Sequence, residues 1–406
     1  MSAGAASAGG GLSTPSILTL NAGSSSVKFA LFEASETLRR MAHGAVERIG
    51  SSGTQLTFGS AVGPASGSAS SSIPVPNAAS PIAFLLEWLE RQLDFRSLVG
   101  VGHRLVHGMH HTEPEAVSEA LLQELARIRP YDPEHLPREL ELVQALRQRF
   151  PRLPQILCFD TSFHRTLPAV AKLLPIARRY QSPDVQRYGF HGLSCAYLID
   201  ELTRLGDPAA ASGRLILAHL GNGASMTAVQ SGRSIETSMG FTPTSGLPMG
   251  TRSGDLDPGL VSFLMRSAHL SVKQFEQLAN HESGLLGVSE ISSDVRELLE
   301  RESSDARAAE ALGLFCYQAR KWIGALAAVL GGLDALVFAG GIGENAGVIR
   351  ERICDGLGFL GIELDAARNR SNSAVISSQG AAVRVRVIRT DEELMIARTV
   401  QRALAR

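Results

Sequence analysis

Residues 17–32 read ILTLNAGSSSVKFALF, and this stretch decides how the fold of the chain is interpreted. A short apolar run breaks into a bend rich in Gly and Ser, and a second apolar run begins at Val27. Two apolar runs joined by such a bend predict a β-hairpin. The bend also suits a phosphate, since Gly lets the backbone approach an anion and Ser hydroxyls and N–H groups cradle its oxygens. Taken alone, the stretch favours an ordinary hairpin turn, because its spacing up to Lys28 does not fit the Walker A pattern.

The same pattern returns in residues 215–229, which read LILAHLGNGASMTAV. Three residues recur 200 positions along the chain: Leu20, Gly23 and Ser25 return as Leu220, Gly223 and Ser225. The Asn222-Gly223 pair is typical of a tight hairpin turn, so hairpin and phosphate loop both stay open here. The pairing of the two bends favours phosphate. It also predicts an α/β chain of two gene-duplicated domains.

The composition excludes several classes of protein. The chain has 406 residues, 44% hydrophobic and 19% charged, which excludes a disordered chain, a collagen-like repeat and a small disulfide scaffold. Lys and Arg total 39 against 40 for Asp and Glu, a net charge of -1. No global basic field is available for nucleic acid or an anionic membrane, so neither is an expected partner. Any bound anion must be held by a local site.

The cysteines and the N-terminus indicate where the protein works. Four cysteines are spaced as neither a zinc site nor a disulfide framework: Cys158, Cys195, Cys316 and Cys354. They predict reduced, buried thiols in a cytoplasmic protein. No apolar run is long enough to span a membrane. Residues 1–15 lack the features of a secretory signal and predict a disordered extension.

Further segments predict the remaining elements. Residues 59–80 are rich in Ser, Ala, Gly and Pro and predict a surface loop. Helices are predicted over 81–93, 115–128, 312–330 and 392–405, and buried strands over 156–159, 215–220, 335–339 and 381–388. Residues 241–258 have no helix or strand period and are dense in Gly, Pro, Ser and Thr. Such a long structured loop is usually functional, and its only cation is Arg252.

Single residues suggest chemistry less specifically. Arg104 lies among apolar residues, where an arginine forms a structural ion pair more often than it binds a carboxylate or phosphoryl group. Asp160 ends a buried strand, the usual place for an active site in open α/β sheets. Gly341, Gly343 and Ala346 fit a relaxed dinucleotide fingerprint in a Gly-rich turn that follows a strand and precedes a helix, with Glu363 or Asp365 as the ribose acid. That alternative is a nicotinamide-dependent oxidoreductase, but little chain remains after the fingerprint to complete such a domain.

Eight motifs in a fixed order carry a resemblance to a known family. They are residues 21–28 (NAGSSSVK), 102–108 (GHRLVHG), 159–164 (FDTSFH), 189–192 (GFHG), 219–223 (HLGNG), 249–254 (MGTRSG), 341–345 (GIGEN) and 392–394 (EEL). From about residue 17 to the C-terminus the chain resembles the acetate kinase family. That family belongs to the superfamily of sugar kinases, actin and heat-shock chaperones.

The resemblance implies an α/β fold of two duplicated actin-like (ribonuclease H-like) domains with a nucleotide cleft between them. The first domain would comprise residues 16–165 and 393–406, and the second residues 166–392. The implied reaction is reversible, direct in-line transfer of a phosphoryl group from ATP to acetate, giving acetyl phosphate and ADP. A propionate kinase of the same family is the alternative. Mg²⁺ or Mn²⁺ would be held by Asn21 and Glu392, and the protein would be a homodimer.

The resemblance also implies the roles of individual residues. The catalytic residues would be Asp160, His191 and Arg252. The carboxylate substrate would be bound by Arg104, Val106, His135, Phe190 and Pro243. The nucleotide would be bound by Lys28, His219, Leu220, Gly221, Asn222, Gly223, Asp294, Val295, Arg296, Gly341, Ile342, Gly343, Glu344 and Asn345. Glu134 departs from the apolar residue usual before His135, and we expect it to turn toward solvent or a basic partner, because a buried carboxylate would repel the substrate.

Overall fold

A computed structural model describes residues 14–23, 26–49, 53–60, 71–75 and 80–405. The chain forms two compact units. The first contains the described residues up to Leu105, then Glu113–Cys158 and the residues from Glu393 onward. The second contains Val106–Thr112 and Phe159–Glu392. Most of the predicted N-terminal extension, residues 24–25 of the first bend, and 61–70 and 76–79 of the predicted loop lie outside the described residues.

The first unit is built on an eight-stranded sheet. Its strands are β1 (Ser16–Ala22), β2 (Ser26–Glu33), β3 (Arg40–Glu47), β4 (Gln55–Ser60), β5 (Ser71–Pro74), β6 (Leu98–Leu105), β7 (Glu115–Ala116) and β8 (Gln155–Phe159), in the spatial order β5-β4-β3-β2-β1-β6-β8-β7. Strand β1 pairs antiparallel with β2 and parallel with β6. The helices are α1 (Pro81–Gln92), α2 (Glu119–Arg127), α3 (Leu136–Arg149) and the C-terminal helix (Glu392–Leu404).

Burial of β1 explains why this sheet forms. All seven residues of β1 are buried, and Leu18 and Leu20 join a core that includes Leu85 of α1 and Leu142 of α3. The C-terminal helix packs so closely on β6 that a Cβ atom at Gly102 would collide with Ile396. Apolar burial on this scale is the main favourable contribution to folding, and it fixes the end of β1.

The second unit has a five-stranded sheet. Its strands are β9 (Arg214–Leu220), β10 (Ala224–Gln230), β11 (Arg233–Thr237), β12 (Ala335–Ala339) and β13 (Arg384–Val387), in the order β11-β10-β9-β12-β13. Its helices are α4 (Ala169–Lys172), α5 (Gly192–Arg204), α6 (Pro208–Ser212), α7 (Pro258–Ser267), α8 (Val272–His281), α9 (Gly284–Ser289), α10 (Val295–Arg301), α11 (Ala306–Leu330), α12 (Gly340–Asn345), α13 (Gly347–Cys354) and α14 (Ala366–Arg370). The core of this sheet packs Leu217 and Val337 against Leu198 of α5.

The two sheets share one topology. Five neighbouring strands of the first sheet lie in the order β3-β2-β1-β6-β8, and the five strands of the second sheet lie in the order β11-β10-β9-β12-β13. In each set, hairpins connect the first three strands along the chain and a crossover leads to the next strand. In both units the first strand, β1 or β9, pairs antiparallel with the next strand, β2 or β10. On its other side it pairs parallel with β6 or β12. The predicted α/β class with a duplicated architecture is confirmed. The antiparallel pairs in the second sheet do not match the parallel sheet that the oxidoreductase alternative requires.

Three predicted elements are corrected. Residues 59–80 are not simply a loop, because Leu56 of β4 pairs with Ile73 of β5, a short edge strand that tolerates Pro74. The helix predicted from residue 115 begins at Glu119, because the Ser118 side chain accepts a hydrogen bond from the backbone of the first turn. Residues 340–345 form helix α12 themselves rather than a turn that precedes a helix.

Two further observations concern the sequence expectations. The four cysteines are buried and free, as predicted. Within the part of the chain that the structure describes, no helix has the length and apolar character needed to cross a membrane.

Candidate active site

Polar side chains meet at the end of β1 in the first unit. Asn21 is the last residue of the β1–β6 ladder and lies opposite Arg104. The Arg104 Nη1 donates to the Oδ1 of Asn21 and to the carbonyl of Ala22, both at 3.3 Å. The Nδ2 of Asn21 donates to Oε1 of Glu393 at 3.2 Å. Lys28, opposite Asn21 on β2, is exposed. Nη1 of Arg104 is thus bonded to two neutral oxygens, and the Asn21 amide that supplies one of them also contacts a carboxylate.

His135 also belongs to the first unit. It is buried at the start of α3, and its Nδ1 lies 2.8 Å from Oδ1 of Asp132. A carboxylate only accepts, so the proton of the neutral ring is on Nδ1 and Nε2 is an acceptor. The preceding Glu134 is exposed, which agrees with the expectation that it turns away from an apolar pocket.

His191 and His219 are stacked in the second unit. His191 precedes α5 with a left-handed backbone, φ 57°, and its ring stacks on that of His219 at an interplanar angle of 29° with centroids 4.3 Å apart. The Nδ1 of His191 lies 2.9 Å from the Ser225 hydroxyl. A Cβ atom at Gly223 would lie 3.3 Å from Nε2 of His191 and 3.8 Å from Nη1 of Arg252. The glycine therefore leaves a small space that a histidine and an arginine both face.

A chain of hydrogen bonds continues behind His219. Its Nδ1 lies 2.8 Å from the Ser194 hydroxyl, which lies 2.8 Å from the Thr390 hydroxyl. The backbone N–H of Thr390 donates to Oε1 of Glu344 at 3.0 Å, and so does the N–H of Gly340. Glu344, predicted to bind nucleotide, thus ties the start of α12 to the segment before the C-terminal helix.

Arg252 is positioned by the predicted long loop. The loop contains no helix or strand between β11 and α7, yet its residues Leu247 and Met249 are fully buried. The Nη1 of Arg252 donates to the carbonyl of Pro243 at 3.1 Å, which brings these two predicted site residues together. Gly284 lies so close to the carbonyls of Met249 and Arg252 that a Cβ there would collide with them. The loop is packed rather than open.

Asp160 is fully buried at the end of β8. Its backbone carbonyl leaves no room for a Cβ atom at Gly192, the last residue of the GFHG motif. The start of α5 therefore packs directly against Asp160. Burial, with a smaller contribution from the negative charges of Asp160 and Glu392, raises the pKa of the nearby Cys195 thiol to about 12. Asp160 and Glu392 therefore form one acidic neighbourhood, and the thiol beside them is not a nucleophile at neutral pH.

Aromatic and apolar residues flank His191. Phe190 is buried, and the ring of His107, which follows the buried Val106, makes edge contacts with Phe190 and Tyr188. His164 donates from Nε2 to the carbonyl of Phe190 at 2.9 Å, with Nδ1 at 2.9 Å from the Ser234 hydroxyl. Burial lowers the pKa of His164 to about 4, so this ring is neutral at pH 7 and has a structural role.

The short helix α12, which begins directly after β12, has exposed residues. Gly340 has φ 76° and abuts the carbonyl of Leu220, which only a glycine permits. Gly341 and Asn345 are exposed, Ile342 is half-buried, and Asn345 donates to the carbonyl of Gly341 at 2.9 Å. A Cβ at Gly221 would lie 3.9 Å from the N of Gly341. Two of the predicted nucleotide segments therefore adjoin.

A buried arginine supports α12. Arg350 of α13 is fully buried and donates to the carbonyl of Gly343 at 2.8 Å. Its other nitrogens donate to the side chain and backbone of Asn369 and to Oδ1 of Asn372. Burial lowers the pKa of Arg350. Nothing in the local sequence identified this residue, because its partners are carbonyl and amide oxygens rather than an acid at a recognisable spacing.

The remaining residues predicted to bind the nucleotide lie in the hairpin after β9 and at the start of α10. Asn222 accepts at its carbonyl from the N–H of Gly250 at 3.0 Å, which links the HLGNG hairpin to the loop of Arg252. Asp294 caps α10 and is bridged by Arg296 at 2.6 Å, a contact that lowers the pKa of Asp294. Val295 is buried, so its side chain belongs to the core rather than to a binding surface.

The donor chemistry suits a hard divalent cation. Among the described residues, no group of three or more His, Cys, Asp or Glu side chains could hold a metal ion. Asn21 of the first unit offers an amide oxygen and Glu392 of the second unit a carboxylate, and each is a type of ligand that Mg²⁺ accepts beside water and substrate phosphates. Sequence reasoning did not single out Glu393, the acid that contacts Asn21.

Comparison with known proteins gives a consistent result. The Acetokinase family model matches residues 16–398. An acetate kinase from Methylocella silvestris is 42% identical over 94% of this chain and 96% of its own length. A propionate kinase from Citrobacter rodentium is 42% identical over 95% of this chain and 96% of its own length. The crystal structure of a propionate kinase from Francisella tularensis has a TM-score of 0.87 at 34% identity, covering 95% of this chain and 99% of that one.

Proposed function

Since the chain belongs to the acetokinase family, we propose that it is an ATP-dependent acetate kinase that also accepts propionate, giving an acyl phosphate and ADP. The observation that carries the proposal is the shared space at Gly223, which Nε2 of His191 and Nη1 of Arg252 both face. A cation fork beside a histidine donor suits the oxygens of a phosphoryl group in flight.

The reaction needs charge stabilisation more than a base. A carboxylate nucleophile is already ionised at neutral pH, so the obstacle is repulsion between two anions and the charge on the equatorial oxygens. Arg252 and His191 supply donors for that charge, and Arg104 binds the carboxylate of the substrate. Asp160 is a fully buried acid, and we assign it to orienting the cationic groups rather than to proton abstraction.

Backbone and hydroxyl groups bind the nucleotide in this proposal. Close backbone approach comes from the hairpin of His219, Leu220, Gly221, Asn222 and Gly223 and from the α12 residues Gly341, Ile342, Gly343 and Asn345. Glu344 holds the start of α12. Asp294 and Arg296 act as a pair beside the nucleotide, with Val295 anchoring α10. Lys28 adds a positive charge near the phosphates.

The metal and the acyl pocket complete the proposal. Asn21 and Glu392 hold Mg²⁺ or Mn²⁺, which neutralises phosphate charge when bound. Val106, Phe190 and Pro243 are assigned to the apolar wall of the acyl pocket, and His135 is assigned to binding the carboxylate substrate. An exposed Glu134 leaves the wall without a bulky apolar residue at that position. We expect acetate and propionate to be used at comparable efficiency and butyrate poorly.

The assembly and compartment are also proposals. Helix α7 has no buried residue, and its Leu260 and Phe263 are exposed. An apolar helix surface of this kind supports a homodimer through the second unit. Four buried free cysteines suit the reducing cytoplasm.

The test is direct trapping of the product. Purified protein is mixed with ATP, Mg²⁺, hydroxylamine and one of acetate, propionate or butyrate, and hydroxamate is measured. We expect hydroxamate with acetate and propionate, and none when ATP or the carboxylate is omitted. A protein that forms no hydroxamate but oxidises a hydroxy acid with a nicotinamide cofactor would support the other class of enzyme.

A further inference from the structure

Two serine hydroxyls contact the stacked histidines, but only one is restricted to a single partner. Ser225 is 1% exposed on β10, and its Oγ lies 2.9 Å from Nδ1 of His191. Among the residues that the structure describes, this ring nitrogen is the only hydrogen-bond partner of that hydroxyl. Ser194, in contrast, lies between His219 and Thr390 and can donate to either.

The single partner decides where protons lie. A serine hydroxyl carries one proton and two lone pairs, while a neutral imidazole has one N–H and one acceptor nitrogen. If Nδ1 of His191 donated to Ser225, the hydroxyl proton would be buried without an acceptor, which is unfavourable. If the hydroxyl donates to Nδ1, its proton is satisfied. The ring proton of the neutral imidazole must then be on Nε2.

The orientation of the His191 ring determines where its Nε2 proton points. Nε2 of His191 faces the space at Gly223 that Arg252 also faces. Stacking on His219 and the left-handed backbone at His191 keep the ring plane in place. His164 holds Phe190, the residue before His191, by donating a hydrogen bond to its carbonyl.

We propose that Ser225 is a positioning residue that selects the Nε2–H tautomer of His191. The histidine then presents a neutral N–H donor to the transferring phosphoryl group without first taking up a proton. This inference rests on the proposed function for its catalytic meaning, but the tautomer itself is a property of the protein alone. Sequence comparison of the two bends noted Ser225 only as a repeat of Ser25.

The test reads the tautomer separately from the activity. The whole protein is labelled with ¹⁵N-histidine, and long-range ¹H–¹⁵N spectra at pH 7.5 distinguish the protonated from the unprotonated ring nitrogen. The His191 signals are assigned by their loss in His191→Gln. We expect wild type to carry the proton on Nε2. Ser225→Ala should populate the Nδ1–H form, and Ser225→Thr, which keeps the hydroxyl, should restore the Nε2–H form.

Activity supplies the second measurement. Ser225→Ala should lower kcat about tenfold with both KM values within about twofold, and Ser225→Thr should recover most of it. Ser234→Ala is the matched control, because it removes an equally buried hydroxyl from another histidine, His164. It should leave the His191 signals unchanged.

Two outcomes would overturn the inference. One is a wild-type His191 protonated on Nδ1, which needs no variant to observe. The other is a Ser225→Ala protein with unchanged His191 signals. If the Nε2–H form is observed but the wild type makes no acyl phosphate, the tautomer assignment stands and the proposed function fails.

Discussion

The first strands of the two sheets end in different chemistry, although the sheets have the same strand order. The β1–β6 ladder ends at Asn21 opposite Arg104, so the first unit presents an amide, a guanidinium and the nearby carboxylate of Glu393. The β9–β12 ladder ends at His219 opposite Ala339, and a helix begins at the next residue, Gly340. The second unit therefore presents stacked imidazoles and exposed backbone.

The difference shows how one topology supports two kinds of recognition. Side-chain charges at the first strand end suit a carboxylate and a metal ion, which need point charges. Glycines and backbone N–H groups at the second suit the extended oxygen surface of a nucleotide phosphate. Strand order alone would not reveal this division. It depends on which residue ends the parallel ladder, Arg104 in β6 and Ala339 in β12.

The largest expected effect distinguishes the roles of Arg252 and Arg104. Arg252→Ala should lower kcat by about 10²–10³, because it removes charge stabilisation that is greatest in the transition state. Arg104→Ala should raise KM for acetate more than it lowers kcat, because the fork binds the ground-state anion. Steady-state kinetics with Arg252→Lys as the charge-retaining control measures both. Near wild-type turnover and affinity in both alanine variants would show that the site is assigned wrongly.

The next effect concerns the adjacent acids Glu392 and Glu393. If Glu392 holds the metal, Glu392→Gln should raise the Mg²⁺ concentration for half-maximal activity by about 10–100-fold. Glu393→Gln leaves that ligand in place and changes only the partner of Asn21, so a smaller rise is expected. EDTA should abolish activity, and Mg²⁺ or Mn²⁺ should restore it. A larger rise in Glu393→Gln would transfer the metal role to the acid that contacts Asn21.

A smaller effect tests how the second unit holds α12, the segment proposed to bind nucleotide. Arg350→Lys keeps the charge but cannot reach the same set of oxygens, so Gly343 loses its support and KM for ATP should rise about tenfold. KM for acetate should stay within about twofold. Arg352→Lys, two residues along α13 and paired with Glu302, is the control and should change neither. An equal rise in both KM values would indicate general loss of structure.

Acid stability compares one buried histidine in each unit. Burial lowers the pKa of His103 in the first unit and His164 in the second to about 4, against 6.5 in the unfolded chain. Acid therefore protonates the unfolded chain first. This contribution to stability is complete above about pH 6.5 and is lost as the pH falls toward 4, by roughly 1–2 kcal/mol per histidine at pH 5.

Denaturant unfolding between pH 7.5 and pH 5 checks that expectation. His103→Gln and His164→Gln should each flatten the dependence of unfolding free energy on pH. His269→Asn is the control, because His269 is exposed at φ 53°, a conformation that Asn tolerates. An unchanged slope in both glutamine variants would contradict neutral buried rings.

The smallest effect concerns the acyl pocket. Glu134→Leu should narrow the pocket and shift the ratio of kcat/KM toward acetate over propionate by a few-fold, since one methylene is worth about 1–3 kcal/mol at most. Glu141→Leu, an exposed position on α3, is the control. An unchanged ratio would remove position 134 from the pocket wall.

Much of the fold could be predicted because its signals are local. The apolar runs at 17–20 and 215–220 and the long helix before residue 330 each follow from burial and periodicity within a few residues. Strand β5 was missed because a Ser-rich edge strand resembles a loop until its partner β4 is known. The start of α2 was misplaced by four residues because the capping Ser118 competes with an apolar pattern that begins earlier.

The site was less predictable where it depends on tertiary contacts. Motifs identified His191 and Arg252 as candidates, but only the fold brings both to Gly223. The hydroxyl of Ser225, the carboxylate of Glu393 and the guanidinium of Arg350 act on residues distant in sequence. No spacing rule connects residue 21 with residue 393.

The path of the chain through the two units also sets the order in which they can be completed during synthesis. The first unit is made of three separate segments, and its last segment begins only at Glu393. Ile396 of that segment packs against Gly102 of the central sheet. Translation at about 5–20 residues per second delivers the whole second unit before this helix exists. The unit that opens the sequence is the last to be finished on the ribosome.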